Sequence, residues 1–229
     1  MARRARGVVC GMDRHSAREP LAAFAYQHKV SVPRGQHAVE RLRQLFAVAL
    51  EYPAPRDPGA FDIAASLPAA TAPANRLVFL HGSARAEKLW PFAHWVELAR
   101  RVVAQGWSVV LPWGNPSERF RAQAICDQAG QGVTVSSTTT LTGLGQTLAS
   151  ARAFVAVDTG PAHLAAALGT PGVTLYGPTL PERVGTYGSR QVHLRARAQR
   201  AGEMALIKPL PVWRALHALL TDGNIVQGG

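Results

Sequence analysis

The sequence predicts an α/β protein built on a Rossmann-like doubly wound parallel sheet, and three observations lead there. From Leu77 onward short apolar runs alternate with helical periodicities, and the runs are continuous, as strands covered on both faces must be. At Val155–His163 one such run ends in the polar turn Asp158-Thr159-Gly160, and an alanine-rich helix follows at once. The chain has 229 residues, 47% hydrophobic and 17% charged, enough apolar material to fill a core.

Taken in order, Leu77 to Leu80 is the first buried strand. Pro91 to Gln105 is a helix with Pro91 in its first turn, where no amide is missed, and Gly106 just past its end. Trp107 to Leu111 is the next strand, and Ser117 to Ala129 the next helix, with Ser117 as its N-cap. Val133 to Val135 is a short strand, Thr140 to Ser150 a helix, Phe154 to Val157 a strand, Pro161 to Leu168 a helix and Val173 to Tyr176 a strand. Val212 to Leu220 closes the chain as a helix.

Ahead of Leu77 the character changes. Gly7 to Gly11 reads as one strand, and Gln36 to Leu50 as an amphipathic helix carrying Val39, Leu42, Leu45, Phe46 and Ala49 on one side. Tyr52 to Pro58 and the alanine- and proline-rich span to Pro73 read as a linker. The segment before it has too few strands to close a domain of its own, so it is expected to be the remnant of a longer one. The expected division is 1–52, a linker at 53–75, and a main domain at 76–229.

Composition excludes several classes. No apolar run reaches the ~18 residues of a membrane-spanning helix, and the basic N-terminus leads into too short an apolar stretch for a signal peptide. A cytoplasmic protein is expected. Cys10 and Cys126 lie in no CxxC or histidine cluster and read as two reduced thiols, with no metal expected. The formal charge is +11, and of 25 basic side chains only Lys29, Lys88 and Lys208 are lysines. The arginines are scattered without the aromatic interleaving of a single-strand binder, so no nucleic acid is expected as a partner.

Three turns carry the chemistry. His81-Gly82-Ser83-Ala84 follows the first strand, and its small residues let backbone approach a ligand while Lys88 supplies a point charge for a phosphate. It could also be an ordinary loop with a surface lysine. Leu111 to Glu118 ends the second strand. Glu118 could accept hydrogen bonds from a ribose diol, or could simply compensate the helix dipole. At Asp158-Thr159-Gly160-Pro161-Ala162-His163 the opening amides of a helix attract a phosphate, with His163 as a further donor. Asp158 could instead merely cap that helix. The lack of a GxGxxG argues against a nicotinamide dinucleotide.

Together these residues resemble the bacterial lipopolysaccharide heptosyltransferases, the ADP-heptose glycosyltransferase family of two-domain GT-B architecture. The resemblance is carried by His81–Lys88 before Trp90-Pro91, by Leu111-Pro112-Trp113-Gly114, by Val157–His163 and by Leu175-Tyr176-Gly177-Pro178-Thr179. Upstream, Ser16–Pro20 and Gln36–Arg41 also look like this family, above all its members that add the first heptose to the inner core. The resemblance implies that 76–229 is the donor, C-terminal half of a GT-B enzyme and 1–52 the remnant of its acceptor domain.

It further implies an inverting transfer of L-glycero-D-manno-heptose from ADP-heptose to the Kdo of Kdo–lipid A, at the inner face of the inner membrane and with no metal or other cofactor. Ser83 and Lys88 then match the donor loop, with Lys88 on the leaving diphosphate, and Glu118 matches the ribose carboxylate. Asp158, Thr159, Gly160 and His163 match the turn that holds the diphosphate and orients the heptose, and Arg18 an acceptor-side arginine. Ala84 stands where the family often has a second hydroxyl. The family's glycine-rich first turn, with the aspartate expected as general base, has no counterpart here, and Asp13 matches a later part of the first domain. The corresponding portion amounts to roughly 100 residues, one doubly wound half. The chain alone is therefore expected to bind donor without turning it over. A catalytically inactive ADP-binding fragment, or the acceptor choice of the second heptosyltransferases, are the alternative readings.

Overall fold

The computed structural model describes residues 7–57, 59–67, 75–137, 140–196 and 203–221. Contacts divide the chain into two units, Met1–Gly59 with Glu182–Val184, and Ala60–Pro181 with Gly185–Gly229.

In the first unit, β1 (Cys10–Met12) and β2 (His28–Val30) pair in parallel. Gly11 is required there, because a Cβ at that position would lie 2.3 Å from the Tyr26 ring. The Asp13 carboxylate accepts the amides of His15 at 3.0 Å and Ser16 at 2.7 Å, closing the turn after β1. Hydrogen bonding from Ser16 holds that carboxyl below the usual range. Helix α1 (Ala38–Ala49) follows, capped by His37, whose Nδ1 accepts the Val39 amide at 3.2 Å. The strand expected at Gly7–Gly11 forms slightly later, and β2 was not foreseen, being three residues with two polar side chains. The apolar stripe of α1 is only partly covered: Leu42 and Phe46 remain about half exposed, because two strands offer too little surface.

The second unit contains β3 (Arg76–Leu80), α2 (Phe92–Val103), β4 (Ser108–Leu111), α3 (Pro116–Ala129), β5 (Val133–Val135), α4 (Leu141–Ala149), β6 (Ala153–Val157), α5 (Gly160–Ala167) and β7 (Gly172–Tyr176). The short helix α6 (Pro181–Val184) comes next in the chain, followed by β8 (Gln191–Arg195) and α7 (Pro209–Thr221). All six strands are parallel, in the order β5-β4-β3-β6-β7-β8. That is the doubly wound order, with its reversal between β3 and β6.

Successive side chains of each strand feed opposite cores. Leu77, Phe79, Val109, Leu111, Val155, Val157, Val173 and Leu175 pack with residues of α2, α3 and α7, among them Trp95, Leu98, Ile125, Val212 and Leu216. Val78, Leu80, Phe154 and Ala156 pack on the other side with Leu148 of α4 and Ala162 and Ala165 of α5. The predicted parallel sheet covered on both faces is therefore what forms.

Three local expectations need correction. Asn115, not Ser117, caps α3: its Oδ1 accepts the Glu118 amide at 3.0 Å, and Pro116 takes the first helical position. β8 was missed because Gln191, His193 and Arg195 break the apolar run, as suits a strand at the edge of the sheet. Among its described residues the expected linker contains one 3₁₀ turn, Ile63–Ser66; residues 58 and 68–74 lie outside the described ones. The corrected cap is testable by urea unfolding. Asn115→Ala is expected to cost about 1 kcal/mol, whereas Ser117→Ala leaves the unfolding midpoint unchanged; the reverse ranking would contradict the assignment.

Candidate functional site

A parallel sheet sends every strand's carboxyl end, and the amino end of every following helix, to one rim. Here the turns after β3, β4 and β6 meet the start of α4 around a cleft of about 450 Å³, a size suited to a small ligand. The first turn contributes Gly82, Ser83 and Ala84, the second Pro112 to Asn115 with Glu118, and the third Thr159 and Pro161. Thr140, Leu141 and Leu144 form the remaining wall. The cleft thus sits beside the reversal of strand order, where doubly wound sheets bind ligands.

Glu118 is fixed within it. Its Oε2 accepts the Gly114 amide at 2.8 Å, and Asn115 holds its own amide. A Cβ on Gly82 would lie 2.5 Å from the Glu118 carboxyl, so glycine at 82 is what allows the carboxylate to lie against that turn. Glu118 keeps acceptor capacity facing the cleft, since one oxygen carries only one of these bonds. Beside it the Trp113 ring is anchored through Nε1 to the Ser136 carbonyl at 2.8 Å, with the Arg119 guanidinium 5.4 Å from its centre. Ser83 Oγ faces the Arg85 amide at 3.4 Å, a hydroxyl-closed turn.

Next to Thr159 lies an ion pair. Lys88 Nζ donates to Asp158 Oδ2 at 2.6 Å, and the Thr179 hydroxyl donates to the same oxygen, also at 2.6 Å. The other oxygen, Oδ1, faces His163 Nε2 at 3.9 Å. Asp158 does not cap α5; Thr159 occupies the cap position, in extended conformation and without a side-chain cap bond. The first amides of α5, starting at Gly160, have the helix-start geometry that attracts anions.

The structure therefore brings Ser83, Glu118 and Thr159 to one cleft. Lys88, Asp158, Gly160 and His163 lie directly beside it, linked through Asp158 and the start of α5. Arg18 is an exposed residue of the other unit. Sequence reasoning missed Thr179 as a partner of Asp158, the Gly82–Glu118 approach, and the α4 wall. Asn115-Pro116-Ser117-Glu118 did carry a signal for the second turn, a capping pattern with proline at the first helical position. Leu175–Thr179 is marked by the resemblance, but nothing local points to the partner of Thr179, 21 residues away.

Behind the cleft His81 is fully buried, and neither ring nitrogen makes a well-formed hydrogen bond. Burial, reinforced by the neighbouring Arg121 guanidinium and only weakly opposed by the Pro112 carbonyl, pushes its pKa down to about 4. Arg121 is itself held there by donating to the Trp90 carbonyl, and the Trp90 indole donates to the Ile207 carbonyl at 2.8 Å. His81 is thus a buried histidine, uncharged at neutral pH, beside an arginine that is anchored to the Trp90 carbonyl.

The profile of glycosyltransferase family 9 (heptosyltransferase) matches residues 1–211. Lipopolysaccharide heptosyltransferase 1 of Pseudomonas aeruginosa is 51% identical over 188 residues, which are 81% of this chain and 52% of that protein. Among solved structures, the E. coli heptosyltransferase WaaC with ADP superposes with a TM-score of 0.84 at 39% identity, covering 94% of this chain and 67% of that one. The same enzyme with ADP-2-deoxy-2-fluoro heptose gives 0.77 at 38% identity, covering 95% of this chain and 65% of that one. The chain spans about half the length of the Pseudomonas relative.

The His81 environment yields a pH prediction. The folded pKa lies below the unfolded value of 6.5, so between the two the unfolded chain binds more protons. This contribution to stability is complete above pH 6.5 and is lost as pH falls towards 4. Urea unfolding across that range is expected to show an acid loss, at most about 1.4 kcal/mol per pH unit from this group, that is reduced in His81→Asn. Equal pH slopes for the two proteins would refute it.

Proposed function

The chain belongs to glycosyltransferase family 9, the heptosyltransferases, and from that premise we propose that its second unit binds ADP-L-glycero-D-manno-heptose and serves heptose transfer to the Kdo of Kdo–lipid A. The observation that carries the reading is the placement of Glu118, the Ser83 turn and the start of α5 around one cleft, with the Lys88–Asp158 pair at its side. The 51% identity to a protein named heptosyltransferase 1 supports Kdo, rather than a heptose already attached, as the acceptor. The E. coli structures named with ADP and with an ADP-heptose analogue support the donor.

In this reading the Glu118 carboxylate accepts the ribose hydroxyls, and Ser83 with the opening amides of α5 receives phosphate oxygens. As the glycosidic bond to ADP breaks, negative charge grows on the diphosphate, and the Lys88 ammonium and α5 dipole stabilise it without reorganising. The Asp158 carboxylate is turned towards Lys88 through Oδ2, leaving Oδ1 towards His163 and the sugar side. Ala84 presents a methyl where a hydroxyl would add one bond to the donor. The proton of the acceptor hydroxyl is assigned to no residue of this chain, and Arg18 is assigned to an acidic group of the acceptor. Work at the inner membrane surface would follow from the lipid acceptor; among the described residues no helix is long and apolar enough to cross a membrane.

Isothermal titration of this chain with ADP tests the core of the proposal. Glu118→Gln is expected to weaken ADP binding by about 1.5–3 kcal/mol, roughly 10- to 150-fold, as expected on loss of a hydrogen bond to a charged group. ADP affinity identical in the two proteins removes Glu118 from the site. For the chemical step, Lys88→Ala in a heptosyltransferase of full family length is expected to raise the barrier by about 2–4 kcal/mol, read as heptosylated Kdo–lipid A formed per minute at saturating donor. Unchanged turnover would remove the lysine from the leaving-group role.

A further inference from the structure

Building on the donor-site reading above, we infer that Thr179 is a positioning residue for the leaving-group cation. Its hydroxyl fixes the Asp158 carboxylate, and that carboxylate fixes the Lys88 ammonium.

The argument begins with which end of the ion pair is free to move. Lys88 ends a 3₁₀ turn, Ala86–Lys88, that follows an exposed stretch, and its charge sits on a flexible four-carbon stem. Asp158 directly follows β6, a central strand buried along its whole length. The aspartate backbone is therefore rigid, but a carboxylate bonded by one lysine can still turn about its last torsion. A second donor from a third segment removes that freedom, and Thr179 supplies it, with both donors on Oδ2 at 2.6 Å. Asp158 is nearly buried and Lys88 largely so, with side-chain exposures of 9% and 17%, so water competes weakly for these bonds.

The segment carrying Thr179 is itself fixed from both ends. At Gly177 a Cβ would lie 2.9 Å from Met204 Sδ and 3.1 Å from Glu203 Oε1, so the chain passes tightly under the 3₁₀ turn Glu203–Leu206. On the return, the Tyr176 hydroxyl accepts the Thr186 amide at 2.9 Å, and the Thr186 hydroxyl bonds His193 Nε2 at 2.9 Å. Thr179, β-branched and stiff about its first torsion, is thereby aimed at Asp158. With one ammonium proton on Asp158, the other two remain to meet a diphosphate.

The chain has only three lysines, and this makes the test direct. Amine acylation of the wild type, read by peptide mass spectrometry, gives the rate at Lys88 against Lys29 and Lys208 as internal references. Thr179→Val keeps the side-chain shape and removes the donor, and is expected to speed labelling of Lys88 several-fold while the references stay constant. Thr179→Ser is expected to behave as wild type. ADP affinity is then measured in a cycle. The valine is expected to weaken binding about tenfold when Lys88 is present and less than about twofold in a Lys88→Ala background, the signature of a residue acting through another. Equal losses in both backgrounds, unchanged Lys88 labelling in Thr179→Val, or a serine variant that behaves like valine would each overturn the role. If the wild type has no affinity for ADP yet Thr179→Val still accelerates labelling, the donor reading falls and the positioning role stands.

Discussion

A parallel sheet covered on both faces leaves a polypeptide with one polar rim to work with. Its strands must be apolar on both sides to bury Leu77 to Leu80 and Ala153 to Val157 completely, so chemistry is expelled to their ends. Because the six strands run parallel, their carboxyl ends share that rim, and so do the amino ends of the helices that follow them, with their unpaired amides. The turns after β3, β4 and β6 are far apart in sequence, yet the strand order sets them side by side around one cleft. The reversal between β3 and β6 splays the flanking helices and opens the space. Each residue of the candidate site depends on that constraint before any hydrogen bond is counted.

The same constraint explains how far the fold was legible. Central strands are written as uninterrupted apolar runs, and β3, β6 and β7 lie close to where those runs place them. At the sheet edge the physics relaxes. β8 is only partly buried, so Gln191, His193 and Arg195 can alternate with Val192 and Leu194 and no run appears. The start of α3 was misplaced for a different reason. Ser117 is a good cap, but Pro116 fits the first helical position and so puts the cap at Asn115, two residues earlier. The first unit was least legible, because two three-residue strands carry almost no periodicity.

For the site, what sequence could show was the set of turns, and what it could not show was how the side chains within them pair. Lys88 reads as a cation awaiting a phosphate, and Asp158 as a helix cap or ligand contact; nothing in either segment announces that the two bind each other across 70 positions. Thr179 lies in a stretch that carries the family resemblance, but its donor role appears only when β6 and β7 are adjacent. Gly82 reads as a loop glycine, yet its role is the space it leaves for Glu118, a property of a contact rather than of a local conformation. Long-range pairing of polar groups leaves no period in the chain, which is why it was invisible.

The pair also resolves an apparent conflict of charge. A diphosphate brought beside the Asp158 carboxylate would be repelled, by about 4 kcal/mol per pair of unit charges at 4 Å in a partly screened site. A bare carboxylate there would oppose the function proposed for the turn. Tied to Lys88 and Thr179 through one oxygen, however, Asp158 belongs to a neutral pair, and the opening amides of α5 add their own positive potential. In the proposed reading, the aspartate's negative charge holds the cation in place before a donor binds. A lysine without that anchor would have to lose its rotamer freedom at the moment of binding, at up to about 2 kcal/mol. If the cleft takes the proposed diphosphate, an acidic residue beside it is in this sense what makes the cation there useful, provided something else holds the acid still.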